Sequence, residues 1–235
     1  MDVLEAIATR RSIRKYLDVP VEWDKVGQVL EAGRLAPSAG NIQEWRFIVV
    51  TEHSLRKQVA ESALGQNWVE TAPVHIVVVA ITEKVRTHYG MRGERLYAIQ
   101  DCAACATHMI LAAHELGLGS CWIGAFDEAK IQRILKLPDD VRPQMILTIG
   151  YADEKPHMPP RYPIDNLVFL EKYGGTGRIK DLDRVLWDHN VVGRVVNRAK
   201  ETKKDFTRLT KKDRGRLFER LKELRRNMSA KLKKR

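Results

Sequence analysis

The segment over residues 98–116 constrains the fold more than any other. It interleaves Ala103, Ala104, Ala106, Ala112 and Ala113 with Ile99, Met109, Ile110, Leu111 and Leu116. A helix that is small or apolar on most of its faces has to be wrapped by other elements, so the chain needs packing partners around this one. Gly117-Leu118-Gly119 ends it. Ser120-Cys121-Trp122-Ile123-Gly124 then reads as a short buried strand entering a glycine turn, where backbone can come close to a planar ligand. A helix over residues 127–135 follows, with Asp127 as its N-cap.

Near the start, Arg10-Arg11-Ser12-Ile13-Arg14-Lys15 carries four cations, and no carboxylate lies between Glu5 and Asp18 to offset them. Concentrated guanidinium groups beside a hydroxyl suit a phosphate dianion. If the segment is extended after a short helix over Val3–Thr9, period-two alternation puts Arg10, Ser12 and Arg14 on one face. Arg11, Ile13 and Lys15 fall on the other. The same residues would also serve as a solvated basic turn opposing the negative end of that helix.

A helix over residues 23–36 has Val26, Val29, Leu30, Gly33 and Leu35 spaced for burial and is stopped by Pro37. The polar loop after it holds Ser38, Gly40, Asn41 and Gln43 close to Trp45. Gly40 is free to take a positive φ, and amide side chains offer both donors and acceptors. That is the pairing required by a flavin ring edge, which alternates carbonyl and N–H groups. An ordinary turn also uses Asn and Gly in this way.

Other chemistries lack their signatures. No G-x-G-x-x-G follows an expected strand and no G-x-x-x-x-G-K-[ST] occurs, which argues against Rossmann and P-loop nucleotide sites. The seven histidines show no H-E-x-x-H or similar ligand spacing, so no metal is expected. Cys102, Cys105 and Cys121 are an odd number and point to a reducing compartment. Cys102 and Cys105 form C-x-x-C within the alanine-rich helix rather than at a helix start after a strand, and read as small core residues. The apolar strand Val74–Ile81 is too short to cross a bilayer and Asp2 and Glu5 interrupt any signal-peptide pattern. A cytoplasmic protein without a membrane span is the expectation.

The order RRSIRKY, PSAGNIQEW, AAHELGLGSCWIGAF and KPHMPPRYPIDNLVFLEKY resembles the nitroreductase family of FMN-dependent oxidoreductases over residues 1–173. The resemblance implies an α+β fold in which a mostly antiparallel central sheet is flanked by helices, and a homodimer with FMN at the subunit interface. It implies that Arg10, Arg11, Ser12 and Arg14 contact the flavin phosphate, ribityl chain and pyrimidine side, with Arg161 as a second phosphate contact. Pro37, Ser38, Ala39 and Asn41, with Gln43 beside them, would reach the flavin from the partner subunit. Trp122, Ile123 and Gly124 would lie against the ring by backbone, and Gln66 would contact it from the loop before Val74. The implied activity passes a hydride from NAD(P)H through FMN to an electron-poor acceptor such as a nitroaromatic or quinone, by a ping-pong mechanism. Arg14 is the candidate for stabilising negative charge on the reduced ring.

Charge divides the chain unevenly. Residues 198–235 hold 17 Lys plus Arg against 5 Asp plus Glu, a net of +12, leaving 24 against 25 and a net of −1 in residues 1–197. The expected organisation is a flavin domain over residues 1–173 and a basic, mostly helical C-terminal extension over residues 174–235, with helices over 182–198 and 212–232. That extension can pack on the dimer, engage nucleic acid or another polyanion, or touch an anionic membrane. The alternative function is accordingly a binding module whose basic tail engages nucleic acid or an acidic partner. A loop over residues 82–95, with Arg86, His88, Tyr89, Arg92 and Arg95, is expected as a lid favouring anionic substrates.

Overall fold

Helix α1 (Val3–Thr9) starts at Asp2, whose side chain accepts from the Glu5 amide. The computed structural model describes residues 1–174. Helix α2 (Trp23–Arg34) turns Val26, Val29 and Gly33 inward and ends ahead of Pro37. Strand β1 (Trp45–Val50), helix α3 (His53–Glu61), strand β2 (Val74–Ile81) and helix α4 (Thr82–Arg92) follow. Then come helix α5 (Ala98–Glu115), strand β3 (Gly119–Ile123), helix α6 (Glu128–Leu135) and strand β4 (Val141–Gly150). Asp127 caps α6 by accepting from the Lys130 amide at 3.0 Å.

The strands form one antiparallel sheet in the order β1-β2-β4-β3. Strand alternation then splits the core in two. Val74, Ile76, Val78 and Ala80 of β2, with Met145, Leu147 and Ile149 of β4, pack against α2 and α5. Val77, Val79 and Ile146 face α3 and α6 through Val59, Ala60 and Ile131. Since β2 is covered on both faces, it reads as a run that is apolar except for His75. This is the α+β architecture that the sequence implies.

Two expectations need correction. Only one stripe of α5, including Ala98, Cys102, Cys105, Ala106, Met109 and Ala113, is fully buried, and Ile99 on another face is 41% exposed. The expected lid over residues 82–95 is α4 continued by a π-helical turn, Gly93–Tyr97. Because Val85 is the one buried residue of α4, no apolar periodicity announced it. Moreover, Arg86 pairs with Glu94 and Arg92 donates to Tyr97 Oη, so neither guanidinium is held for a substrate. Thr82–Glu115 is a helical stretch long and apolar enough, by length and composition alone, to cross a bilayer. Its apolar stripe packs on the sheet, which makes it a core helix. Cys102 and Cys105 are free and buried in that stripe, as core residues would be, and burial pushes the Cys105 thiol up to about 12.

The chain divides into two compact units, Met1–Pro160 and Arg161–Arg235. In the second, a short turn at Ile164–Asn166 precedes a contact between the Phe169 and Tyr173 rings at 4.8 Å. The helices expected over 182–198 and 212–232 and the basic run 198–235 lie outside the described residues.

Candidate functional site

After α1 the backbone becomes extended at Arg10, with φ −55° and ψ 135°. The segment then docks along β3. Ser12 forms a parallel bridge with Ser120, and the Ile13 amide donates to Ser120 O at 2.9 Å. Ile13 is buried with Tyr16 and Ala72, and it fits because Gly119 has no side chain. A Cβ at Gly119 would lie 2.8 Å from Ile13 Cγ1. Tyr16 fastens the far end by donating to Ile13 O at 2.7 Å, with Thr148 Oγ1 2.8 Å from its hydroxyl.

The expected face forms around Cys121. Burial pushes that thiol up, while Arg14, the Ser12 hydroxyl and Arg10 act on it in the opposite direction. Arg10, Ser12 and Arg14 thus all act on the Cys121 thiol, although of the three only Arg10 lines the cavity beside the segment. Arg11 behaves differently: Nη1 turns back to the Ala8 and Arg10 carbonyls at 2.8 and 2.7 Å. It thus closes α1, the alternative reading of this run, while still lining the adjoining cavity. That cavity has a volume of about 500 Å³ and is bounded by Arg10, Arg11, Ile13, His114, Gly119 and Glu154 among others. Burial lowers the His114 pKa, and Arg10 and Arg11 lower it further, which registers a positive local field. Guanidinium groups, a hydroxyl and apolar walls in a volume within the usual range for ligand sites fit a phosphate-bearing cofactor such as FMN.

At the other end of β3, Trp122 is 37% exposed and Gly124 opens the following turn to solvent. Gln66 Nε2 donates to Ala63 O and Ala125 O, both at 3.1 Å, tying its loop to that turn. The Arg14 guanidinium lies 5.8 Å from the Trp68 ring centroid. Gln66, Trp122, Ile123, Gly124 and the basic segment thus belong to one side of the molecule.

The amide loop belongs to the other. Residues Ala39–Asn41 make a tight turn with positive φ at Gly40 (56°) and Asn41 (55°), and Gln43 is also positive at 51°. Within it, the Asn41 amide donates to Ser38 O at 3.0 Å and the Gln43 amide to Ser38 Oγ at 3.1 Å. Gln43 Nε2 reaches Asn41 Oδ1 at 2.9 Å. The Ala39 amide is anchored on Asp101 Oδ2 at 2.9 Å, near the start of α5, whereas Thr9 beside Arg10 lies 2.8 Å from His114 near its end. At 1.5 Å per residue those two anchors are about 20 Å apart along the helix. The loop also leads into β1, the opposite sheet edge from β3. One copy of the chain therefore does not bring Pro37, Ser38, Ala39, Asn41 and Gln43 to the basic segment. Arg161 stands exposed at the start of the second unit.

Three residues escaped the sequence reading. Glu154 Oε1 accepts from the Arg14 and Lys15 amides, fixing the basic segment from a position far along the chain. Trp68 carries the Arg14 guanidinium, and its place two residues beyond Gln66 was the available clue. Glu44 sits fully buried beneath the amide loop.

The sequence profile of the Nitroreductase family matches residues 7–73 and 62–151. A protein of Methanothermobacter thermautotrophicus, provisionally named NADH dehydrogenase/NAD(P)H nitroreductase, is 35% identical over 179 residues, spanning 74% of this chain and 88% of its own. The FMN reductase [NAD(P)H] of Bacillus subtilis is 30% identical over 186 residues, 73% of this chain and 74% of its own. The solved structure of an FMN-dependent nitroreductase from Clostridium difficile superposes with a TM-score of 0.64 at 31% identity, covering 73% of this chain and all of the other.

Proposed function

The chain belongs to the nitroreductase family, and from that premise we propose that it is an NAD(P)H-dependent FMN oxidoreductase acting on an electron-poor acceptor. The observation that carries this is the cavity of about 500 Å³ lined by Arg10 and Arg11, with Ser12 and Arg14 following in the same extended segment docked along β3. When bound, FMN supplies hydride acceptance from the nicotinamide and electron delivery to a nitroaromatic, quinone or similar compound. The chain's own residues then bind, orient and polarise, and no nucleophile or triad is required.

On this reading Arg10, Arg11 and Ser12 hold the phosphate. Gln66, Trp122, Ile123 and Gly124 border the ring. Arg14 places positive charge where the reduced ring becomes negative, and an exposed face is left for nicotinamide and acceptor to occupy in turn. Pro37, Ser38, Ala39, Asn41 and Gln43 come from a second copy. Exposed apolar side chains support that homodimer: Val3 (71%), Leu4 (52%) and Ile7 (49%) on α1, Trp23 (67%) on α2 and Ile99 (41%) on α5. Surfaces of this kind mark association sites.

The flavin domain is proposed to end near Tyr173, with a basic extension beyond it. The net +12 of residues 198–235 supports salt-dependent contact with a polyanion, in addition to the enzyme activity rather than in its place. Three free, buried cysteines support a cytoplasmic setting.

The test is direct. Protein purified with FMN should be yellow, bleach under NADH or NADPH without oxygen, and regain colour when a nitroaromatic or quinone is added. Failure to retain FMN at micromolar concentration, or colour indifferent to both nicotinamides, would refute the proposal.

A further inference from the structure

Glu44 follows the amide loop directly, and its carboxyl is completely removed from solvent. Neither oxygen reaches a hydrogen-bond donor with good geometry. A buried carboxylate left that way is costly, and the usual resolution is to keep the proton. Among the described residues, the groups coupled to Glu44 are Asp101, Cys102 and Cys105 on α5 and Lys84 on α4. Burial raises the Glu44 pKa most, its own backbone amide opposes that, Asp101 raises it further and Lys84 lowers it. Asp101, also buried, is the acceptor for the Ala39 amide. Two carboxyl groups in one dry site do not both ionise readily, and one proton between them stabilises the pair.

We propose that Glu44 is a positioning residue for the turn over residues 37–43: as an acid sharing its proton with Asp101, it keeps the Asp101 carboxylate on the Ala39 amide. The role rests on the flavin reading above, because that turn is the part of each copy offered to the partner's FMN. Loss of the shared proton leaves two buried anions, which separate and release Ala39. Apart from this anchor on α5 the turn is held by local hydrogen bonds through Ser38 and Asn41, and it carries strain because Asn41 and Gln43 adopt positive φ.

The experiment is hydrogen exchange at the Ala39 amide in the full-length, flavin-free protein as a function of pH, corrected for intrinsic exchange. Wild-type protection should fall about tenfold per pH unit once the shared proton is lost, whereas Glu44→Gln, a neutral donor of the same shape, should keep its protection throughout. Glu44→Ala should be poorly protected at every pH. A Gln variant that follows the wild-type profile, or protection independent of pH in all three proteins, overturns the inference. FMN affinity measured across the same pH range should track the exchange data. Protein that binds no FMN at any pH, yet shows Ala39 protection governed by residue 44, would remove the flavin reading and leave the positioning role standing.

Discussion

His75 and Arg14 show how single residues answer to their surroundings. His75 is buried in β2, with Nε2 donating to Val69 O at 2.8 Å, and burial lowers its pKa from 6.5 to about 4. The folded protein thus resists a proton that the unfolded chain takes up. Stability from this residue is intact above pH 6.5 and is lost as pH falls toward 4, by about 3 kcal/mol at most. Chemical denaturation of His75→Gln should accordingly show a shallower decline than wild type across that window; equal slopes would contradict it. Arg14 is exposed and stacked on Trp68. Its removal in Arg14→Ala should make the flavin harder to reduce and lower kcat by about 10²-fold, the usual scale for losing one charge-stabilising group. A spectroelectrochemical titration showing an unchanged potential would dismiss that role. Residue types revealed the phosphate-type pole of the site, because cations without counter-charges are visible in the chain itself. They could not reveal Glu154 or Asp101, whose significance depends on neighbours supplied by the fold.

Among the elements, those with a strong local signal were legible. Helix α6 carries its Asp127 cap, α2 carries its apolar spacing and terminal Pro37, and β2 carries an apolar run interrupted only by His75. By contrast, α4 has one buried side chain and an interior Gly90 at φ 60°, so its sequence reads as loop. The mating of the basic segment with β3 was likewise hidden, since it depends on Ile13 seating against the bare Cα of Gly119. Gly119→Ala should push the segment off the strand, costing about 1–3 kcal/mol and weakening FMN binding. Ile13→Ala in the same chain should recover part of the loss. A double-mutant cycle with strictly additive effects would show that the two positions do not meet.

At the scale of the whole molecule, the separation of the two motifs proposed to hold the flavin is decisive. The basic segment lies beside β3 and the end of α5, and the amide loop lies by β1 and its start. Sequence order placed both motifs in one chain but carried no record of the distance between them. Helix α5 and the strand order of the sheet impose it. The basic extension should act independently of this arrangement, so retention of the full-length protein on heparin should fall steeply with salt while FMN reduction changes little. Subunit complementation tests the composite site most directly. Arg10→Ala and a Ser38→Ala, Asn41→Ala double variant should each retain little FMN alone. After subunit exchange, random pairing gives one fully wild-type site in each mixed dimer, so about a quarter of all sites should recover flavin and NAD(P)H-dependent activity. Verified exchange with no recovery would show that both motifs do not serve one flavin across a subunit interface.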